Sequence, residues 1–198
     1  MDREGIIGHR HAMGLRSQHL MAVARTGLVR LSDREIALVG RTCAAARRTH
    51  LARAAVVVTW LGNGTLYLVL AVALVAVAGR TSARTLALAA VAGAISHLIY
   101  PAIKRFAARP RPFEHRAGPV AASTPLDAFS FPSGHLMTFA ATTTPVVMRW
   151  PELWLAVLGL WLVLAWSRVA TGHHYPSDLL GGTLLGVAVA LGVIGVAG

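Results

Sequence analysis

Long apolar segments alternate with short polar segments along most of this chain. Residues 54–79 contain no charged residue, and residues 85–103 form a second apolar segment after a turn with two arginines. A helix needs about 20 apolar residues to cross the hydrocarbon core of a bilayer. Three further apolar segments follow, at residues 134–148, 153–167 and 179–198. We therefore predict an all-α fold, a polytopic transmembrane helical bundle with about five membrane spans.

The first 53 residues have a different pattern, with basic residues spread among regularly spaced apolar ones. They contain ten of the nineteen Lys and Arg residues. We predict a basic amphipathic arm (residues 1–53) of one or two helices on the membrane surface, followed by a transmembrane domain (residues 54–198). Ser32 and Glu35 have the spacing of a capping box, which would begin the second helix. A solvated, partly disordered tail is the alternative, and no cleaved signal peptide is expected.

Composition supports lipid as the solvent of this chain. Hydrophobic residues make up 55%, charged residues 14%, and the mean hydropathy is +0.58. The formal net charge of +11 would suit nucleic acid, an anionic membrane surface or an anionic substrate. We expect membrane lipids and no nucleic acid as partners, because most basic residues would lie against anionic head groups. With a single cysteine, Cys43, the chain has no intrachain disulfide, and the sequence does not predict an oligomeric state.

The parity of five crossings assigns each polar segment to a membrane face. The N-terminal arm, the proline-rich connector at residues 104–132 and residues 168–178 share one face, which holds sixteen of the nineteen Lys and Arg residues. Three polar clusters at the ends of different spans also fall on this face. Because positive charge favours the cytoplasm, we expect a multi-pass protein of the cell membrane whose polar clusters face the cytoplasm.

The first cluster consists of Lys104, Arg111 and Pro112, at the end of the second segment. Lysine supplies a compact charge, and arginine a planar fork that can hold two phosphoryl oxygens. Alternatively, these residues only anchor the end of a span at the membrane surface.

The second cluster, residues 132–135, has the sequence Pro-Ser-Gly-His and begins the third segment. The start of a helix carries unpaired N–H groups and a partial positive charge, so Ser133 and Gly134 are candidates to bind an anion. His135, within one turn of them, is a candidate general acid. A simple helix cap is the alternative.

The third cluster contains Ser167 and Arg168, then His174 and Asp178. Pro176 suits the first turn of a helix, so Asp178 would lie within reach of the His174 ring, fix its tautomer and leave Nε2 as a nucleophile. The alternatives are a metal-ligand pair and a purely structural pair.

Together the clusters resemble the three-part signature of the type 2 phosphatidic acid phosphatase family, over roughly residues 55–195. The matching elements are a lysine, six residues and Arg-Pro; then Pro-Ser-Gly-His; then Ser-Arg, five residues, His, three residues and Asp. The resemblance implies that His174 attacks phosphorus to form a phosphohistidine, that Asp178 orients it and that His135 protonates the leaving oxygen. It also implies a phosphate-binding set with no metal and no cofactor, consisting of Lys104, Arg111, Ser133, Gly134 and Arg168.

The resemblance further implies an integral-membrane lipid phosphatase that hydrolyses a phosphate monoester or a pyrophosphate. Candidate substrates are phosphatidic acid, phosphatidylglycerol phosphate and a polyprenyl phosphate or diphosphate. The alternatives are a vanadate-dependent haloperoxidase-like enzyme, whose site the same signature resembles, and a non-catalytic protein that binds anionic lipids. Family members often have six spans, whereas this chain has five apolar segments and the arm. We expect His173 to be a neighbour of the nucleophile and Asn63 to serve helix packing. For His97 and Tyr100, near the end of the second span, we expect a place in the core or at the membrane interface, with lining of the pocket as the alternative.

Overall fold

The computed structural model describes the backbone of residues 3–197, with side chains described at residue 23 and from residue 25 onward. This part of the chain contains seven α-helices, three short 3-10 helices and no strand, which confirms the all-α prediction. The α-helices are α1 (Arg3–Arg48), α2 (Ala52–Leu61), α3 (Thr65–Ala78), α4 (Ala83–Ala107), α5 (Gly134–Arg149), α6 (Trp154–Ala170) and α7 (Pro176–Ala197). The 3-10 helices are Gly79–Ser82, Pro112–Glu114 and Pro151–Leu153.

Each of the five apolar segments is helical over most of its described residues, and the chain is a membrane protein. Three stretches within the described residues are long and apolar enough to cross a bilayer: Thr65–Glu114, which contains α3 and α4, then Pro151–Ala170 and Pro176–Ala197. Helix α5 has only 16 residues and packs between α4 and α7 at the centre of the bundle. The number of five spans, like the division into arm and domain, stays a prediction.

The first apolar segment is divided by a turn at residues 62–64. Helix α2 ends at Leu61, and Gly64 has a φ of 149°, a conformation that glycine adopts at little cost. A Cβ atom at Gly62 would lie 2.9 Å from Leu164 and 3.0 Å from the ring of His135. The turn therefore brings the end of α2 against His135, one of the predicted site residues.

Glycines on α7 allow the backbone of α5 to approach closely. A Cβ atom at Gly182 would lie 2.5 Å from the carbonyl oxygen of Ser133, and one at Gly186 would collide with that of Met137. The Ser133 N–H donates a hydrogen bond to the carbonyl of Asp178 at 3.0 Å. This contact fixes the beginning of α5 beside the first turn of α7, so the second and third clusters are held together by backbone.

The predicted capping box in the arm is wrong, because α1 is one continuous helix through this point. The Ser32 hydroxyl donates to the carbonyl of Leu28 at 2.9 Å, one turn earlier. The Glu35 carboxylate accepts hydrogen bonds from Ser177 at the start of α7 instead of capping its own helix. Since the residues before Ser32 are already helical, no helix start exists there to be capped.

One face of α1 packs onto the bundle. Its buried side chains recur every three or four residues: Ile36, Val39, Cys43 and Ala46. The Cys43 thiol lies 3.3 Å from the carbonyl oxygen of Val169 on α6. The arm therefore contacts the end of the bundle that carries the three clusters, whereas its position on the membrane surface stays a prediction.

Candidate active site

The three clusters surround one cavity of about 470 Å³, at the end of the bundle that α1 contacts. Six of the eight predicted site residues line it: Lys104, Arg111, Gly134, His135, Arg168 and His174. The other two, Ser133 and Asp178, are fully buried directly behind the wall. His173 also lines the cavity, as do His97 and Tyr100, which favours the alternative for these two residues. Asn63 lines it as well, exposed in the turn between α2 and α3, so the prediction that it serves helix packing is wrong. The structure thus brings together eight predicted site residues that are up to 74 positions apart in the sequence, from Lys104 to Asp178.

A carboxylate that sequence analysis missed bridges the two cations of the first cluster. Oδ1 of Asp127 lies 2.8 Å from Nζ of Lys104 and 2.6 Å from Nη2 of Arg111. Burial raises the pKa of Asp127, but its hydrogen bonds and charge interactions with these two cations outweigh that effect and lower it. Asp127 is therefore ionised at neutral pH, and its carboxylate neutralises part of the charge that an anionic ligand would use.

Arg111 is also held by backbone, which fixes the plane of its guanidinium group. Nε donates to the carbonyl of Asp127 at 2.9 Å, and Nη1 donates to the carbonyl of His173 at 2.8 Å. The N–H of Arg111 donates to the Glu114 carboxylate at 2.8 Å. Pro112 begins the 3-10 helix that presents Glu114 to this N–H. The connector is thus fastened to the residues that precede α7.

The second cluster forms the N-terminus of α5, as predicted, with Ser133 at the N-cap position. A Cβ atom at Gly134 would touch the ring of Tyr100 at 3.4 Å, so the absence of a side chain keeps this part of the cavity wall open. The His135 ring faces the cavity, with Nε2 3.3 Å from the carbonyl oxygen of Thr59. Because a carbonyl can only accept, Nε2 carries the proton in this contact. The ring is therefore oriented by the end of α2.

The third cluster places His174 in the turn before α7 and Asp178 in the first turn of α7. Nδ1 of His174 lies 3.5 Å from Oδ2 of Asp178, the outer limit of a hydrogen bond. The N–H of Tyr175 donates to the same Oδ2 at 2.8 Å and so holds the carboxylate in place. Burial, and then the positive charges of nearby residues, of which Arg168 is the strongest, lower the pKa of His174 well below 6.5. The imidazole is therefore neutral at pH 7, as a nucleophile requires.

Several buried polar atoms around the cavity lack a hydrogen-bond partner within the described residues. They are Nε and Nη1 of Arg168, Oγ of Ser133, and Nδ1 of both His173 and His174. Leaving a buried donor unpaired costs on the order of 1–3 kcal/mol, and more for a charged group. Of the six unpartnered atoms that the described part contains, only Oγ of Ser96 lies outside these clusters. The donors among these atoms are Nε and Nη1 of Arg168 and Oγ of Ser133, because Nδ1 of neutral His173 is an acceptor and Nδ1 of His174 faces Asp178 at 3.5 Å. The unpaired donors of Arg168 and Ser133 mark a site that can bind an anion.

A metal site is not formed by the described residues. They contain no group of three or more His, Cys, Asp or Glu side chains that could hold a metal ion. The metal-ligand alternative for His174 and Asp178 has no third ligand there. The prediction that catalysis proceeds without a metal or a cofactor is not tested by this geometry.

Sequence analysis also missed Arg109, which with Arg111 is one of the two largest fully buried side chains among the described residues. It donates to Oδ1 of Asp178 at 2.6 Å. The one available signal was the repeated Arg-Pro at residues 109–112, of which only the second unit was used. The structure places His173 beside His174, with Nε2 of His173 2.7 Å from the carbonyl oxygen of Ser123, whereas Asp178 pairs with His174.

The fold and the site together define a helical membrane protein with a cationic, histidine-containing cavity at one end of the bundle. A family model described as the PAP2 superfamily matches residues 65–197. The chain belongs to this superfamily, which confirms the resemblance noted in the sequence.

Two relatives and one solved structure extend the comparison. Decaprenylphosphoryl-5-phosphoribose phosphatase of Mycobacterium tuberculosis is 40% identical over 114 residues, which cover 56% of this chain and 61% of that protein. Lipid A 1-phosphatase of Rhizobium etli is 34% identical over 95 residues, which cover 46% of this chain and 41% of that protein. The chain thus spans about half the length of these relatives. The solved structure is that of a transmembrane PAP2 type phosphatidylglycerolphosphate phosphatase from Bacillus subtilis. It is 21% identical in sequence, and the superposition covers 92% of this chain and 94% of that chain with a TM-score of 0.67. The two proteins therefore have the same fold.

Proposed function

We propose that this protein is an integral-membrane phosphatase that hydrolyses a phosphate monoester or a pyrophosphate on a lipid through a phosphohistidine intermediate. One observation carries the proposal: the unpaired guanidinium donors of Arg168 and the buried neutral imidazole of His174 share a single cavity. A cation that can bind phosphoryl oxygens beside an imidazole that can attack phosphorus is the arrangement that phosphoryl transfer through histidine requires.

Phosphate binding uses three cations and the start of α5. Arg168 donates from Nε and Nη1, Ser133 from its hydroxyl, and Gly134 from its N–H. Lys104 and Arg111 complete the set when the phosphate takes the place of the Asp127 carboxylate between them. The three positive charges then stabilise the negative charge that spreads over the phosphoryl oxygens in the transition state.

The reaction has two steps. In the first, Nε2 of His174 attacks phosphorus while the bond between phosphorus and the leaving oxygen breaks, and His135 protonates that oxygen. Asp178 accepts the Nδ1 proton of His174 as a hydrogen bond and stabilises the positive charge that develops on the ring. In the second step His135 takes a proton from water, the water oxygen attacks phosphorus and the phosphorus–nitrogen bond breaks. Inorganic phosphate leaves and His174 is neutral again.

An apolar cavity beside the site supports a lipid substrate. It has a volume of about 540 Å³ and lies between α3, α4, α5 and α6. Tyr67 lines both this apolar cavity and the cavity that contains Arg168 and His174. A phosphate bound at Arg168 can therefore be joined to a long apolar chain that stays out of water. Candidate substrates are phosphatidic acid, phosphatidylglycerol phosphate, a polyprenyl phosphate or diphosphate, and the substrate types named for the two relatives. We also propose that the site faces the cytoplasm, because the positive residues are concentrated at that end.

A phosphate-release panel over these lipids tests the proposal on the purified full-length protein in detergent. His174→Ala and wild type are compared, with His115→Ala, at a histidine outside the cavity, as the matched control. We expect phosphate release by wild type and the control, and a loss of about three orders of magnitude or more in His174→Ala. Brief reaction with a 32P-labelled lipid followed by denaturation in alkali should retain label on wild type and none on His174→Ala. Release from no lipid, with or without chelator, would overturn the proposal.

A further inference from the structure

Arg109 lies entirely inside the protein, between α1, the connector and α7. Its side chain has 0% relative exposure, and all three of its nitrogen atoms donate hydrogen bonds. Nη1 lies 2.6 Å from Oδ1 of Asp178 and 2.7 Å from the hydroxyl of Ser177. Nη2 lies 3.0 Å from Oε2 of Glu35, and Nε lies 3.0 Å from the hydroxyl of Ser32. The guanidinium group therefore joins two carboxylates that belong to different helices.

The ring of Tyr175 packs against the Arg109 guanidinium group. The central carbon of the Arg109 guanidinium lies 4.1 Å from the ring centroid, within the range of a cation–π contact. The N–H of Tyr175 donates to Oδ2 of Asp178, while Arg109 donates to Oδ1. Each oxygen of the Asp178 carboxylate thus has its own donor, and the carboxylate cannot rotate away from His174 without breaking one of them.

Glu35 connects the same network to the N-terminal helix. Its Oε1 accepts the N–H of Ser177 at 2.9 Å, and its Oε2 accepts the hydroxyl of Ser177 at 2.6 Å. Ser177 is in the first turn of α7, whose unpaired N–H groups favour a carboxylate. Glu35 on α1 therefore accepts hydrogen bonds from the N-terminal turn of α7. Helix α1 lies outside the residues that the family model matches.

We infer that Arg109 is a positioning residue for the His174–Asp178 pair, and that Glu35 makes helix α1 a working part of the active site. The inference rests on the proposed function. Arg109 has no place among the phosphate-binding residues, because it does not line the cavity and each of its three side-chain nitrogen atoms already has a partner. Its effect on the reaction passes through Asp178, which it holds in the orientation that His174 needs.

The placement of charge supports this role. Asp178 is fully buried, and a buried carboxylate is stable only with a cation or several donors beside it. Lys104 and Arg111 are both turned to Asp127, so among the described cations Arg109 is the one that pairs with Asp178. Its second carboxylate partner, Glu35, is also more than four-fifths buried. Arg109 therefore forms buried ion pairs with both Glu35 and Asp178, and these stabilise one orientation of the Asp178 carboxylate.

A double-mutant cycle separates positioning from general stabilisation. Arg109→Gln should lower kcat by about 10-fold to 100-fold, the effect of losing one buried charge-assisted hydrogen bond, and change KM by less than about 3-fold. In the Asp178→Asn background the same substitution should change kcat by less than about 3-fold, because its target is already lost. Arg105→Gln, at an exposed arginine four residues earlier, is the matched control and should keep wild-type kcat. The kcat of each variant is normalised to the amount of folded protein, which thermal unfolding measures.

Two further variants keep the test decisive if Arg109→Gln fails to fold. Arg109→Lys retains the charge without the planar fork and should recover part of kcat. Glu35→Gln should lower kcat by about 3-fold to 10-fold at unchanged KM, and by less in the Asp178→Asn background. The inference would be overturned if a substitution at Arg109 or Glu35 lowered kcat equally in the wild-type and Asp178→Asn backgrounds, or if it left kcat unchanged. The proposed function would still hold in either case, provided that the wild-type protein releases phosphate. A wild-type protein without phosphatase activity would overturn both.

Discussion

Nδ1 of His174 and Oδ2 of Asp178 face each other at 3.5 Å across the turn that begins α7. Asp178 occupies the first turn of α7, and the N–H of Tyr175 and Nη1 of Arg109 hold its two oxygens. A carboxylate on the Nδ1 side leaves Nε2 as the ring nitrogen that is free for the cavity. Hydrogen bonds of this kind are often long in the free enzyme and shorten in the reacting complex. The arrangement therefore assigns separate tasks to the two nitrogens of one ring.

Replacing Asp178 by asparagine should reduce turnover more than binding. The amide can donate to Nδ1 and so favours the tautomer that carries the proton on Nε2, the nitrogen that must attack. We expect kcat to fall by about 100-fold to 10,000-fold with KM changed little. Steady-state phosphate release per folded protein measures this, with Asp33→Asn on the exposed side of α1 as the control. A kcat within about 3-fold of wild type would show that the carboxylate does not act on His174.

Arg168 should contribute to both binding and catalysis, because two of its donors have no other partner among the described residues. Arg168→Gln should lower kcat/KM by about 100-fold or more, since a phosphate would lose a charged, bidentate contact in a buried site. Arg168→Lys should recover only part, because lysine restores the charge without the fork. Arg149→Gln, at the opposite end of α5, is the matched control. Equal activity of Arg168→Gln and wild type would exclude Arg168 from the phosphate site.

Asp127 should compete with the phosphate group for Lys104 and Arg111. The isosteric substitution Asp127→Asn removes the competing charge and leaves both cations in place, so anions should bind more tightly. We expect the concentration of vanadate or inorganic phosphate that halves activity to fall by about 10-fold, the effect of roughly 1.4 kcal/mol. Inhibition curves for wild type and the variant measure this directly. Weaker inhibition in Asp127→Asn would mean that Asp127 mainly orients the cations and does not oppose the ligand.

Much of the site followed from the sequence because its signals are local. The apolar segments form helices, and three apolar stretches among the described residues are long enough to cross a bilayer. Alternation across a membrane then predicts the face on which each polar end lies. The clusters at Lys104, Ser133 and His174 therefore had to meet if they were to act at all. The residues of each cluster lie close together in the chain, so the sequence displays their spacing directly.

The supporting residues were missed because their partners are far away in the chain. Arg109 binds Asp178 from 69 residues away and Glu35 from 74 residues away, so no local spacing connects the three. Glu35 was misinterpreted for the same reason: with Ser32 it has the spacing of a capping box, but tertiary contacts with Arg109 and Ser177 determine its role. Helix starts can be inferred from local pattern only when the preceding residues are not helical.

His173 should make the folded protein less stable as the pH falls. Burial, and then the charge of Arg168, lower the pKa of His173 to about 4 in the folded state, whereas an exposed histidine titrates near 6.5. Above pH 6.5 the ring is neutral in both states, so its titration contributes nothing to the free energy of unfolding. Between pH 6.5 and about 4 only the unfolded chain takes up the proton, so stability falls steadily with pH in this window.

The substitution His173→Asn removes this contribution and tests it. Thermal unfolding in detergent, followed by tryptophan fluorescence at pH 7 and pH 5, should give a smaller drop in Tm for the variant than for wild type. His174 is also buried with a lowered pKa, so a residual drop remains in the variant. His115→Asn, outside the cavity, is the matched control. An equal drop in His173→Asn and wild type would mean that His173 takes up its proton in the folded protein, and the Ser123 carbonyl, 2.7 Å from Nε2, would then be the group that stabilises its charged form.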